Sequence, residues 1–382
     1  MARSMSFVGP GAAPAGHVVF EPVLERLLCV VIAISVIKLP LGIPLYLNAL
    51  LLAVGLYSLI VVQALQPIFL WAIGLVAIGL VAAIDQGVIS FSGPRLGQLL
   101  LLVLASSLVA RLNPTLLVRY LSILLPLMLL AVLVEALLPE PLWDARSLFG
   151  IEVPRHGGLQ GEPNYNAMLL GTVAVLLAQH PPRFLAVLPL MVALPTLSRG
   201  LLFGLVAWLG AKILGRHLLA RFGPWMVLAF CAQPLIVLWL DRQIDDATRD
   251  ALIALSTNRY AVWVGYAEMG LSRPFGVGYF MGTEALQQFA DYLKGGFKEH
   301  QAHSIFLQVF GEFGWAGYTV FVAFLCQVAI VVARRVPQDM RVLLFVLAGF
   351  AFLNGLSGWE FWVPIGYLLA RAREAEQAPA IL

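Results

Sequence analysis

From Leu24 onward the chain is a succession of apolar runs with short polar punctuation, broken at length only by polar stretches over residues 139–164 and 241–303. A run of roughly 20 apolar residues matches the hydrocarbon thickness of a bilayer. Inside hydrocarbon each backbone N–H and C=O needs an internal partner, so runs of this kind are helices. The pattern therefore predicts an all-α, polytopic integral membrane protein with about twelve transmembrane helices. The expected spans are Leu24–Lys38, Leu45–Ala64, Pro67–Ile84, Leu96–Ala110, Leu117–Leu138, Tyr165–Gln179, Phe184–Leu197, Leu201–Leu214, Pro224–Leu240, Ser304–Ala333, Val342–Leu353 and Trp359–Ala370.

Composition excludes the soluble alternatives. Charged residues make up 12% of the chain, against about a quarter in a soluble domain. Residues of the AVILMFWYC set make up 60%, and the mean hydropathy is +0.89. A single membrane domain over 1–382 is expected, with no cleaved leader, because the first apolar run lacks a preceding basic region. The net charge of +3 gives no basis for a nucleic-acid partner. Cys29, Cys231 and Cys326 all lie in apolar runs, which offers neither a disulfide framework nor metal spacing.

Lys and Arg in short loops set orientation. Arg111, Arg119, Arg183, Lys212, Arg216, Arg334, Arg335, Arg341 and Arg371 collect on one side if the N-terminus is cytoplasmic. Both termini are then cytoplasmic, and 139–164, Ser198-Arg199 and 241–303 share the outer face, where together they form one site. Within the large loop, Gln243–Leu255 has the spacing of an amphipathic helix suited to the bilayer surface. Thr257 or Asn258 is expected to cap a second helix bearing Arg259, Trp263 and Tyr266 on one face, stopped by Pro274. Thr283 is expected to cap a third.

Several groups have chemical potential. Arg199 lies between two nearly uncharged runs and reads either as a snorkelling interfacial arginine or as an anion ligand. Arg259 reads either as a surface arginine stacked on Trp263 or as a second anion ligand. Two guanidiniums on one surface suit a diphosphate, because each presents a fixed fork of donors and stays charged. His303 is the natural proton acceptor near neutral pH, or else a histidine bonded to backbone at a helix start. His300 and His303 are spaced by three, which is not the four-residue spacing of a helical zinc pair, so no metal is expected. Glu162 and Asn164, in Gly161-Glu162-Pro163-Asn164, read as substrate contacts or helix caps, with Asn164 the expected N-cap and Glu162 a second candidate base. Glu312 falls at membrane depth about two turns past His303 and calls for a partner, here expected to be an arginine; Glu135 and Glu360 are weaker cases.

The order of Gly-Glu-Pro-Asn ending at Asn164, Thr196-Leu197-Ser198-Arg199-Gly200, Asn258-Arg259 to Trp263 with Pro274-Phe275-Gly276-Val277-Gly278, and Ala302-His303-Ser304 through Glu312-Phe313-Gly314 to Gly317 resembles the O-antigen ligase and polymerase family of bacterial envelope glycosyltransferases. The resemblance covers residues 157–317. Glu162 stands where members often have Asp, and Ser304 where they often have Asn.

The resemblance implies a GT-C-like helical fold in the bacterial inner membrane, an active site facing the periplasm, and no cofactor or metal. It implies a polyprenyl-diphosphate-linked glycan as donor, and lipid A core or a second lipid-linked glycan as acceptor. Arg199, Arg259 and His303 are then the catalytic candidates, with Glu162, Asn164, Trp263, Arg273 and Glu312 binding substrate. Ligase-type transfer is placed slightly ahead of polymerase-type. A transporter or flippase of lipid-linked glycans is the alternative from another class, although its substrate groups would sit nearer the bilayer midplane on broken helices.

Overall fold

The computed structural model describes residues 22–35, 67–138, 146–148, 151–153, 155–158, 162–196, 198–256, 258–286, 301–356 and 358–377. The expected span Leu45–Ala64, the Thr257 cap and the loop residues 287–300 lie outside them.

These residues form fourteen α-helices and one short antiparallel hairpin. In chain order the helices are α1 Pro22–Ser35, α2 Phe69–Asp85, α3 Ile89–Val109, α4 Pro114–Ala136, α5 Pro163–Leu177, α6 Val187–Ala193, α7 Arg199–Cys231, α8 Gln233–Gln243, α9 Asp246–Leu255, α10 Arg259–Ser272, α11 Gly282–Ala285, α12 Ile305–Arg335, α13 Met340–Phe350 and α14 Trp359–Gln377. The hairpin pairs β1 Arg146–Leu148 with β2 Ile151–Val153, placing Ser147 opposite Glu152.

Four helices, α3, α4, α7 and α12, are long and apolar enough to cross a membrane. The described apolar runs are all helical, but most are shorter than the roughly 20 residues a full crossing needs. The expected separation of Leu201–Leu214 from Pro224–Leu240 takes the form of a break within α7, one residue past Leu214. α7 continues through the basic segment around Arg216, with one non-helical residue at Gly215 (φ 71°). Glycine reaches that conformation without a Cβ clash, so the helix kinks there rather than ending in a loop.

The outward faces are greasy. Ile123, Leu127, Leu130 and Leu133 on α4, and Val206, Leu209 and Ile213 on α7, are exposed. Aligned apolar faces of this kind are a liability in water and ordinary in lipid.

α12 is the hub: α2, α7, α10 and α14 pack on it. It is broken at Gly314, whose φ of 67° and ψ of −175° lie in a region open essentially to glycine alone. The break uncouples backbone groups that the segment after α10 then satisfies. Val277 and Gly278 donate their N–H groups to the carbonyls of Gly311 and Glu312, at 3.3 and 3.0 Å, and Ala316 donates to the Pro274 carbonyl at 3.0 Å. A Cβ on Gly314 would collide with the carbonyl oxygens of Arg273 and Pro274, and one on Gly276 with the Glu312 carbonyl. The glycines of Pro274-Phe275-Gly276-Val277-Gly278 and Gly311-Glu312-Phe313-Gly314 are thus two sides of one backbone contact.

α10 differs from its expected setting. Nine of its residues, including Tyr260, Tyr266 and Met269, are buried, and it runs alongside the first turns of α12. Gly270 abuts Phe310 and Gly311 abuts Tyr266. α9 does have the surface character expected of it, with no buried residue and Leu255 79% exposed.

Candidate functional site

Asn164, Ser198, Arg199, Gly200, Arg259, Phe352 and Leu353 line one narrow cleft. Three stretches singled out in the sequence therefore meet, joined by a fourth, the turn after α13. Close helix packing brings them together. Gly200 and Gly204, one turn apart on α7, face α13, and a Cβ at Gly200 would stand 2.8 Å from the Gly349 carbonyl. Small residues four apart let two backbones approach closely. The contact brings Arg199, at the first turn of α7, beside Phe352 at the end of α13.

Arg199 is exposed and, among the described residues, makes no ion pair. Arg259 opens α10 directly after Asn258, which adopts the left-handed conformation at φ 66°. The expected Asn258 cap is not made; the Ser256 hydroxyl oxygen accepts the Tyr260 N–H instead, at 2.9 Å. A left-handed Asn-to-helix step turns the chain so that Arg259 points to the cleft while Tyr260 is buried.

His303 stands just ahead of α12, also with positive φ, at 46°. Non-glycine residues seldom adopt this conformation, and it persists only where surroundings enforce it. Four contacts do so. The Trp263 indole donates to the Ala302 carbonyl at 2.8 Å. The Ser304 N–H donates to Asn354 Oδ1 at 3.2 Å, the Ser304 hydroxyl donates to Gln233 Oε1 at 2.8 Å, and Asn354 Nδ2 donates to Gln301 Oε1 at 3.2 Å. Ser304 is also the N-cap of α12. Residues on α8, α10 and the turn after α13 thus converge to hold one histidine.

Burial, reinforced by the positive charges of Arg259 and Arg199, pushes the His303 imidazole down to about 4. Desolvation and like charge both disfavour the protonated ring. At neutral pH His303 is therefore neutral and able to accept a proton.

Glu162 and Asn164 exchange their expected local roles. The N-cap of α5 is Glu162, which accepts the Tyr165 N–H at 2.9 Å, with Pro163 at the first helical position. Proline supplies the helical φ there and has no N–H to leave unmet, which fixes the cap one residue before it. Asn164 falls one place inside the helix and donates to Glu162 Oε1 at 2.7 Å. Arg155 lies 3.9 Å from the same oxygen. The expected Thr283 cap is likewise displaced, because Met281 precedes α11 and Thr283 lies within it.

Two of the expected substrate contacts stand apart from the cleft. Arg273 is at the far end of α10 from Arg259, about 20 Å along the axis, and donates to Gln86. Glu312, about 13 Å along α12 from His303, is buried and among the described residues makes no direct pair with an arginine. It accepts from Gln308 Nε2 at 3.2 Å and from the backbone N–H groups of Phe280 and Gly282. Arg95 acts on it only as a nearby charge, with its guanidinium over the Phe91 ring at 3.8 Å. Glu312 thus anchors the Gly278–Gly282 turn to the broken part of α12. Glu135 does similar work, accepting the N–H groups of Gly157 and Gly158 at 3.0 and 2.7 Å.

Sequence reasoning missed Phe352, Leu353, Asn354 and Gln233. Asn354-Gly355 is a turn dipeptide just past the expected span end at Leu353 and flags the loop that follows; Gln233 lay inside the expected span Pro224–Leu240 with only its polarity as a signal. No protein-family model matches the chain, and no curated protein matches it significantly.

Proposed function

We propose that the protein is a membrane glycosyltransferase that moves a glycan from a polyprenyl diphosphate to an acceptor hydroxyl in cell-surface polysaccharide synthesis. The observation that carries this reading is the placement of Arg199, Arg259 and Asn164 on one cleft, with neutral His303 within electrostatic reach of both arginines.

A glycosyl diphosphate already has a good leaving group. The demand on the protein is to stabilise the negative charge that grows on the diphosphate as the glycosidic C–O bond breaks. Two fixed guanidiniums do this by preorganised electrostatics, without a metal. The acceptor hydroxyl attacks the anomeric carbon and gives its proton to the unprotonated nitrogen of His303. Direct displacement inverts that carbon. Bound diphosphate offsets the charge of Arg199 and Arg259, and this raises the basicity of His303 when a proton has to be taken. Glu162, engaged as a helix cap, is the weaker base candidate. Asn164 contributes an amide to the donor or acceptor sugar, and Trp263 positions His303.

The inferred membrane frame has cytoplasmic termini, about twelve crossings and a periplasmic cleft. Transfer of a finished chain to lipid A core is placed slightly ahead of polymerisation. The transporter reading predicts charged groups near a midplane, whereas here they gather at helix starts.

The test is a deletion strain complemented with wild type, Arg199→Ala, Arg259→Ala or His303→Ala, followed by gel analysis of envelope polysaccharide and extraction of carrier-linked glycans. Long chains held on the carrier mark a ligase, and single repeat units mark a polymerase. Variants that behave as wild type overturn the site.

A further inference from the structure

A second cavity, of about 380 Å³, opens at the other end of the bundle, lined by Arg183, Trp208, Lys212, Asp339, Arg341 and Arg371, among others. Its distance from the cleft follows from the helices they share. α7 carries Arg199 at one end and Lys212 thirteen residues on, so the two sites lie about 20 Å apart along the bundle.

The charges around this cavity are only partly met. Asp339 and Glu374 take Arg371, at 3.2 and 2.9 Å. Arg341 gives one terminal nitrogen to Gln179 Oε1 at 2.8 Å, but its Nε is buried with no acceptor among the described residues. Trp208 Nε1, which can only donate, is likewise buried with no acceptor among the described residues. The Lys212 ammonium is 5.6 Å from the Trp208 ring. Arg183 and Lys212 make no ion pair among the described residues. Four cations, of which Arg371 is ion-paired, and two unmet buried donors, one of them on Arg341, therefore surround one space. Buried donors are nearly always satisfied in a native protein, so this space calls for an acceptor. A compact anion with several oxygens supplies it, and forked guanidinium donors match phosphate oxygens.

Residues lining the cavity are flanked by exposed apolar side chains. Phe184, Val187 and Met191, just after Arg183, are exposed, as are Leu209 and Ile213 on either side of Lys212.

We propose that this cavity binds a phosphate-bearing anion, either the headgroup of an acidic membrane lipid or free phosphate. The site is independent of the transfer chemistry at the cleft. Binding would be followed by native mass spectrometry on delipidated full-length protein in neutral detergent. The probes are phosphatidylglycerol, phosphatidylcholine and inorganic phosphate, each titrated into wild type and Arg183→Gln/Lys212→Gln. Both substituted side chains are exposed, and size-exclusion elution confirms that the variant is folded. Each basic side chain near a membrane surface is worth about fivefold in affinity for an acidic lipid, so the double variant should bind phosphatidylglycerol roughly thirtyfold more weakly. That loss, with weak phosphatidylcholine binding and no competition by phosphate, identifies a lipid headgroup. Phosphate binding or competition that is weakened in the same variant identifies a soluble anion. Equal binding of both anionic probes to wild type and variant overturns the proposal.

Discussion

Gly314→Ala should be among the most damaging single-methyl additions in this protein, and the reason lies in backbone rather than side-chain packing. A residue with a Cβ at φ 67°, ψ −175° carries a conformational cost of about 1–3 kcal/mol. The new methyl also points at the carbonyls of Arg273 and Pro274 and at the Gly276 N–H, all main-chain atoms that cannot rotate away. Relief requires the 274–278 segment to lift off α12. That breaks the three backbone hydrogen bonds from Val277, Gly278 and Ala316, each worth about 0.5–1.5 kcal/mol net. Together these terms give a loss of about 3–7 kcal/mol, a large share of a typical folding free energy. The matched control is Gly97→Ala in α3, where a Cβ meets nothing within 4 Å. Helix propensity there predicts a neutral to slightly stabilising change of up to about 1 kcal/mol. The assay is thermal unfolding of purified protein in detergent, read as loss of the monodisperse elution peak. For a chain of 382 residues the midpoint should fall by roughly 4–9 °C for Gly314→Ala and hold or rise for Gly97→Ala. Equal midpoints for the two variants would refute the backbone-contact explanation.

Four further outcomes are expected. Since His303 is held at about 4, the acid limb of kcat/KM attributable to it should fall near pH 4, because protonation below that value removes the acceptor. Activity measured across pH 3.5–8 checks this, and a limb near 6.5 would contradict it. The same depressed value means that the unfolded chain takes up a proton before the folded one, so the contribution of His303 to stability is complete above about pH 6.5 and is lost as pH falls toward 4. Trp263→Phe keeps the ring but loses the bond to Ala302; transfer should drop about tenfold in kcat with little change in thermal midpoint, consistent with a hydrogen bond worth about 1 kcal/mol acting through placement of His303. Arg199→Lys keeps the charge but not the fork, so donor turnover should fall by roughly tenfold or more, short of the loss in Arg199→Ala; comparing the two rates is the check.

Much of this arrangement was readable from residue order. The apolar runs marked the described helices, and Asn164, Arg199 and Arg259 do meet at one cleft. What escaped sequence reading was set by contacts across the chain. α10 was placed within the large outer loop, with Arg259, Trp263 and Tyr266 on one face, yet Tyr266 is enclosed by Gly282 and Gly311, neither of which is close in sequence. Glu312 called for an arginine by charge alone; backbone N–H groups from the Phe280–Gly282 turn answered it instead. Hydropathy ended the first half of α7 at Leu214, directly before the break at Gly215, but Arg216 and Arg221, which look like loop residues, lie in helix. Pro163 was the neglected local signal, since it moves the cap of α5 to Glu162.

The most direct test of the proposed chemistry is transfer by purified protein in liposomes supplied with a polyprenyl-diphosphate glycan and a hydroxyl acceptor. We predict free polyprenyl diphosphate and glycosylated acceptor in equal amounts from wild type, with both lost in Arg259→Ala and His303→Ala. A folded wild-type protein that leaves the glycosyl–phosphate bond intact, or folded variants that break it at the wild-type rate, would contradict the assignment.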